Sequence, residues 1–119
     1  MTAPLIVAHR GASAEAPENT LAAFEVARLE GAAMIELDVQ MSADGVALVF
    51  HDDRLERCTN LAAVFPERRT EALFQFTAAE LRQLDAGPGY EGRGANAGTK
   101  IPRLDEVLDW ARSCGMQVN

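Results

Sequence analysis

The sequence predicts an α/β fold on three observations. Leu5-Ile6-Val7-Ala8 is a continuous apolar run of the kind that forms a buried parallel strand. An amphipathic helical pattern follows it. The run from Met34 to Asp52 then reads as two strands around a Ser42-Ala43-Asp44-Gly45 turn cluster. Strand, helix and strand in that order make the first and third elements parallel neighbours under the right-handed crossover rule, so their carboxyl ends lie side by side.

The first strand ends in His9-Arg10-Gly11, a polar pair and a glycine where α/β folds carry their chemistry. Ala12 to Pro17 is expected as loop. Asn19 is placed to cap a helix over Thr20 to Glu30, with Leu21, Phe24, Val26 and Ala27 on one face and Gly31 as the stop. The next strand is expected over Met34 to Gln40. Within it Glu36 and Asp38 are two apart, so both carboxylates project from one face while Ile35, Leu37 and Val39 face the other way. Two acids side by side are tolerable with a cation between them or with both pointing into water.

The turn is too short for a helical crossover, so its strands pair antiparallel as a hairpin at about 34–52. Counting outward from Ala43 and Asp44 puts His51 across from Asp38, give or take one residue for a bulge. His9 and Arg10 then stand next to Glu36 and Asp38, and His51 returns to the same place.

The rest of the chain supports this core. Asp53 to Phe76 shows weak patterning and is expected as an irregular excursion near the mouth of the site. Thr77-Ala78-Ala79-Glu80 is a capping box for a short helix to about Asp85, broken by Ala86-Gly87-Pro88-Gly89. Tyr90 to Lys100 is expected as a mobile loop. After Pro102, Leu104, Val107, Leu108 and Ala111 form one apolar helical face ended by Gly115, and Met116 to Asn119 begins a further strand.

With 119 residues, 48% hydrophobic, the chain holds one small domain. A formal charge of -7 argues against generic binding to nucleic acid or anionic membranes. It leaves room for a small anionic substrate, because a local metal ion and an arginine reverse the field inside a pocket. Cys58 and Cys114 fit no metal spacing and read as reduced thiols. Leu5 to Ala8 is too brief for a signal peptide core or a membrane span, which makes the expected location cytoplasmic.

Several spaced segments together form a pattern. They are His9-Arg10-Gly11, Ala16-Pro17-Glu18-Asn19-Thr20 with Ala23-Phe24, Ile35-Glu36-Leu37-Asp38-Val39, Asp44-Gly45, and Val49-Phe50-His51-Asp52 with Leu55 and Arg57. The pattern resembles the glycerophosphodiester phosphodiesterase family, and the likeness continues through Thr77 to Gly87 and Ile101 to Leu108. The resemblance implies a TIM-type barrel, of which this α/β chain would be a partial form with the first strands and helices only. It also implies hydrolysis of glycerophosphodiesters to glycerol 3-phosphate and an alcohol, with a divalent cation, Ca²⁺ or Mg²⁺, as cofactor. Matched residue by residue, His9 and His51 look like the acid/base pair, Glu36 and Asp38 like metal ligands, and Arg10 like a phosphate contact. The family's third metal carboxylate and a following lysine would lie on the next strand, past Asn119. Similarity to phosphoinositide phospholipases implies a substrate hydroxyl as nucleophile and a cyclic phosphate that water then opens.

These residue types suit the chemistry. Phosphodiester hydrolysis needs neutralisation of an anionic phosphoryl group, an activated nucleophile and a proton for the leaving alkoxide. Hard oxygen ligands select a hard cation over zinc, arginine grips phosphate oxygens, and two imidazoles exchange protons near neutrality. A complete barrel needs about 250 residues. The alternative expectation is therefore a catalytically silent fragment or assembly module of the same lineage, with a homo-oligomer covering the open sheet edges.

Overall fold

The computed structural model describes residues 7–11, 16–87 and 99–119. Leu5 and Ile6, most of the loop expected after Gly11, and the loop expected over Tyr90 to Lys100 as far as Gly98 lie outside the described residues.

Three strands form a parallel sheet in the order β1 (Val7–His9), β2 (Met34–Glu36) and β5 (Gln117–Val118). Between β1 and β2 runs α1 (Leu21–Leu29), so the crossover unit expected from the sequence is present. The register pairs Val7 with Met34, Ala8 with Ile35 and His9 with Glu36. Alternation therefore sends Ile35, fully buried, to the helix side, and puts His9 and Glu36 side by side on the opposite face. The helix side is packed by Phe24, Ala27, Val49 and Val107, and Trp110 closes it with its ring 6.0 Å from that of Phe24.

Thr20, not Asn19, caps α1. The Thr20 hydroxyl accepts from the Ala23 N–H at 3.2 Å, the usual bond of a cap to the third helical residue. Asn19 is left with a backbone φ of 55° and a side chain that turns to the site.

The strand expected over Met34 to Gln40 is two strands. Parallel pairing to β5 ends as Leu37 N–H donates to the Asn119 carbonyl. One residue on, the Asp38 carbonyl accepts from Phe50 N–H in the antiparallel hairpin of β3 (Val39–Met41) and β4 (Ala47–Val49). The chain changes partners at Leu37 and Asp38, and the sheet breaks there. A three-residue loop, Ala43-Asp44-Gly45, closes the hairpin with Gly45 at φ 81° and Ser42 N–H donating to the Val46 carbonyl at 2.9 Å. Val39 pairs with Val49, so Phe50 stands across from Asp38 and His51 lies one residue further, inside the expected tolerance.

The segment after the hairpin departs further from expectation, for it builds the larger core. Leu55, Leu61, Leu73 and Phe76 are fully buried under Leu48 and Ile101, each such side chain contributing about 1.5–3 kcal/mol. Leu61 is carried on α2 (Leu61–Val64) and Leu73 on a 3₁₀ turn at Leu73–Gln75 that Phe76 ends, with a second 3₁₀ turn at Pro66–Arg68 between them and Leu55 in the irregular stretch before α2. Elements of three or four residues are too short to show a period, which is why the pattern reads as weak. Arg68 pins these turns, with its guanidinium 3.9 Å from the Phe76 ring and bonds to Glu71 and Glu80.

The capping box is present: Thr77 Oγ1 accepts from Glu80 N–H at 3.2 Å and Glu80 Oε1 from Thr77 N–H at 2.9 Å. The helix it opens, α3 (Ala78–Leu81), is shorter than expected. Helix α4 (Leu104–Cys114) ends at Gly115 with φ 73°. It buries Val107 and Ala111, whereas Leu108, expected on that face, is 42% exposed, because Leu104, Val107, Trp110 and Ala111 centre the stripe away from it. Both cysteines are free thiols, Cys58 buried and Cys114 exposed. Among the described residues no helix is long and apolar enough to cross a membrane.

Gly11 is the tightest point of the fold. Its φ is 80°, and a Cβ placed on it would stand 2.8 Å from the Ala23 carbonyl carbon and Cβ and 2.9 Å from Phe24 Cδ1. Gly11→Ala is expected to destabilise by about 2–5 kcal/mol, summing a left-handed backbone and an overpacked helix contact. The shift of the urea unfolding midpoint measures it, and an unchanged midpoint would refute the packing argument.

Candidate active site

The site lies where β1 and β2 end. His9 Nε2 stands 3.1 Å from Glu36 Oε2, as their register pairing requires. The distance is that of an ion pair, and Glu36 Oε2 is buried without a hydrogen bond among the described residues. Next in sequence, Arg10 has φ 57°, and its N–H donates to the Glu36 carbonyl at 2.7 Å. That geometry turns its side chain across the strand ends. Its Nε is 3.5 Å from Asp38 Oδ2, too long for a good hydrogen bond, and is likewise buried without a partner.

Asn19 joins these groups. Its N–H donates to the Arg10 carbonyl at 2.9 Å, its Nδ2 donates to Asp38 Oδ2 at 3.0 Å, and its Oδ1 accepts from Asp38 N–H at 3.3 Å. Beside it, Glu18 accepts from Arg10 Nη1 at 3.3 Å on both oxygens. Glu18 also meets Arg57, whose Nη2 is 2.7 Å from Oε1. Arg57 in turn binds Asp52 through Nε at 2.7 Å, and Asp52 Oδ1 lies 2.7 Å from His51 Nδ1. Gln40 Nε2 donates to the carbonyls of His51 and Asp52 at 2.9 and 2.7 Å, fixing the strand end that carries them.

The five residues singled out from the sequence thus fall into two contact groups that meet at His9 and Arg10. One is His9 with Glu36. The other runs from Asp38 through Arg10 and Glu18 to Arg57, Asp52 and His51. Glu18, Asn19, Asp52 and Arg57 were not assigned to the site by sequence reasoning, although all four sit inside the motif segments. The signal for Asp52 was its place directly after His51. For Asn19 no local signal separates a cap from a left-handed turn residue.

Glu18, His51 and Asp52 bring ligand atoms within 4.8 Å of one another, a spacing that suits a cation. Their charge is already matched, since Arg57 lies against both carboxylates and Arg10 against Glu18. Glu36 differs, with a buried oxygen that no cation of the protein neutralises by a hydrogen bond among the described residues. The Arg57 guanidinium, and secondarily the His51 bond, hold the Asp52 carboxyl down to about 2 from an ordinary value of 3.8. Burial pushes the Cys58 thiol up to about 12, which removes it from chemistry near neutrality.

The chain is an α/β protein that gathers carboxylates, imidazoles and guanidiniums where its parallel strands and its hairpin end. The model of the Glycerophosphoryl diester phosphodiesterase family matches residues 9–119, and the chain belongs to that family. Glycerophosphoinositol inositolphosphodiesterase GDPD2 of Mus musculus is 40% identical over 129 residues, covering 97% of this chain and 24% of the relative. A glycerophosphodiester phosphodiesterase of Bacillus subtilis is 39% identical over 111 residues, covering 88% of this chain and 35% of the relative. Among solved structures, the glycerophosphodiester phosphodiesterase of Agrobacterium tumefaciens superposes with a TM-score of 0.84 at 40% identity, covering 98% of this chain and 46% of that one. An Oleispira antarctica phosphodiesterase in complex with its product sn-glycerol-3-phosphate gives 0.82 at 37% identity, covering 98% and 43%. The chain therefore spans less than half the length of these relatives.

Because the Asp52 carboxyl is depressed in the folded chain, its contribution to stability is present above about pH 4 and is lost as pH falls through about 2. Acid unfolding followed by circular dichroism should show this loss, and Asp52→Asn should flatten that part of the profile. An identical acid limb in the variant would remove Asp52 from the account.

Proposed function

We propose that this chain carries the site for metal-dependent hydrolysis of a glycerophosphodiester to glycerol 3-phosphate and an alcohol. One observation supports the reading above the others: two buried polar atoms without a hydrogen bond among the described residues, Glu36 Oε2 and Arg10 Nε, stand at the strand ends with only ion-pair contacts to His9 and Asp38. A cation suits the first and a phosphate oxygen the second. An anionic diester bound with a divalent ion would satisfy both.

In this reading Glu36 and Asp38 hold a Ca²⁺ or Mg²⁺, as oxygen donors suit a hard cation. The ion, when bound, supplies Lewis-acid stabilisation of phosphoryl charge. Arg10, held on Nη1 by Glu18, offers its Nε edge to a phosphate oxygen. His9 and His51 are the acid/base pair: one takes the proton of the attacking substrate hydroxyl while the other protonates the leaving alkoxide, and water then opens the resulting cyclic phosphate to glycerol 3-phosphate with the two proton transfers reversed. The carboxylate of Asp52 accepts from His51 Nδ1, so the Nε2 lone pair is the one left for proton exchange.

The face that carries His9 and Glu36 is read as the interior of a TIM-type barrel, of which β1, β2 and β5 would be leading strands. Val7 on that face is 44% exposed, as an uncovered interior would leave it. The chain's coverage of its structural relatives, 46% and 43%, favours a second reading, a catalytically silent fragment or assembly module whose open faces a second copy covers.

Incubation of the purified chain with glycerophosphocholine and Ca²⁺ or Mg²⁺ separates the two. Release of glycerol 3-phosphate that stops on chelation supports hydrolysis, and its absence from a folded chain supports the fragment. If the chain is active, His9→Ala and His51→Ala should each lower turnover by about 10²-fold or more. A near-normal rate in either variant would overturn the acid/base pair.

A further inference from the structure

We infer that Arg57 is a positioning residue, which by clasping Asp52 and Glu18 together holds the Asp52 carboxylate on His51 Nδ1 and so decides which imidazole nitrogen faces the reaction. The inference rests on the reading of His51 as half of the acid/base pair and adds to it the device that orients the ring.

The guanidinium makes two forked contacts. Toward Asp52, Nε donates to Oδ2 at 2.7 Å and Nη2 to Oδ1 at 3.0 Å. Toward Glu18, Nη2 donates to Oε1 at 2.7 Å and Nη1 to Oε2 at 3.3 Å. Asp52 is five residues away along the chain and Glu18 is thirty-nine, so one planar group ties the hairpin end to the loop before α1. The Arg57 side chain is 52% exposed, so packing does little to hold it, and the two carboxylates set its position.

Asp52 meets His51 through a single contact of 2.7 Å, Nδ1 to Oδ1. A carboxylate on the residue directly after the imidazole is free to rotate about its own side-chain bonds, and the fork from Arg57 removes that freedom by occupying both oxygens. With Asp52 ionised down to about pH 2, it accepts only, so the proton of a neutral His51 sits on Nδ1. The same guanidinium reaches Glu18, which grips Arg10, so the imidazole and the phosphate contact are set by one connected network. Lysine would not substitute, because a single ammonium lacks the two edges that meet two carboxylates.

The test reads the imidazole directly. The chain has two histidines, so side-chain ¹⁵N–¹H correlation spectra of the 119-residue protein contain two ring systems, assigned by replacing either one. At a pH where the rings are neutral, wild type should show His51 Nδ1 at the protonated, pyrrole-type position. Arg57→Gln and Arg57→Lys should each shift it toward the average of the two tautomers, while the His9 signals stay in place. A His51 pattern unchanged in Arg57→Gln would overturn the inference. So would joint movement of both rings, or loss of the fold in both variants, since either marks a general structural role. The readout needs no turnover: a chain that fails to hydrolyse glycerophosphocholine can still show the tautomer shift, and an active chain can fail to show it.

Discussion

The side chain of Asn19, bonded in both directions to Asp38, is the contact on which the site depends. It replaces the backbone partner that Asp38 loses when the chain leaves the parallel sheet, and does so from a residue that is 1% exposed. Its backbone holds Arg10 through the bond to the Arg10 carbonyl. A buried amide with donor and acceptor both used leaves little freedom at either end. Three segments, the loop after β1, the entry to α1 and the end of β2, are tied together by one residue through its side-chain amide and its backbone N–H.

This arrangement carries strain. Arg10 and Asn19 both lie in the left-handed region, a conformation that costs roughly 1–2 kcal/mol for a residue with a side chain. The same turn places Gly11 against α1, where there is no room for a Cβ. Strain of this kind persists where surrounding bonds over-determine the backbone, and it gathers at sites that hold groups ready for a ligand. Near it, Arg10 Nε and Glu36 Oε2 are buried without a hydrogen bond among the described residues. Although the chain carries a formal charge of -7, the carboxylates of Glu18, Asp38 and Asp52 are matched locally by Arg10 and Arg57. Net charge and local field have been separated.

Much of this was legible from local pattern. The strand, helix and strand from Val7 to Glu36 follow from apolar runs and a stop glycine, and their parallel register brings His9 to Glu36 with no further information. The hairpin turn, the Thr77 and Glu80 capping box and the Gly115 stop are equally local, because each rests on bonds between residues within a few positions. Asn19 was misread since a cap and a left-handed turn residue use the same residue types. The core after Asp53 was unreadable because its turns are shorter than any period, and Leu108 was misplaced because a helical face narrows to what its neighbours cover.

By itself the sequence determined the strand-helix-strand unit, the hairpin and the meeting of His9, Arg10, Glu36 and Asp38 near adjacent strand ends, since period and chirality are properties of the backbone. Tertiary structure alone decided where the strand breaks at Leu37, that Asn19 serves Asp38, and that Arg57 stands between Glu18 and Asp52. Those choices depend on which distant donor reaches which acceptor first. No pattern along the chain encodes that distance.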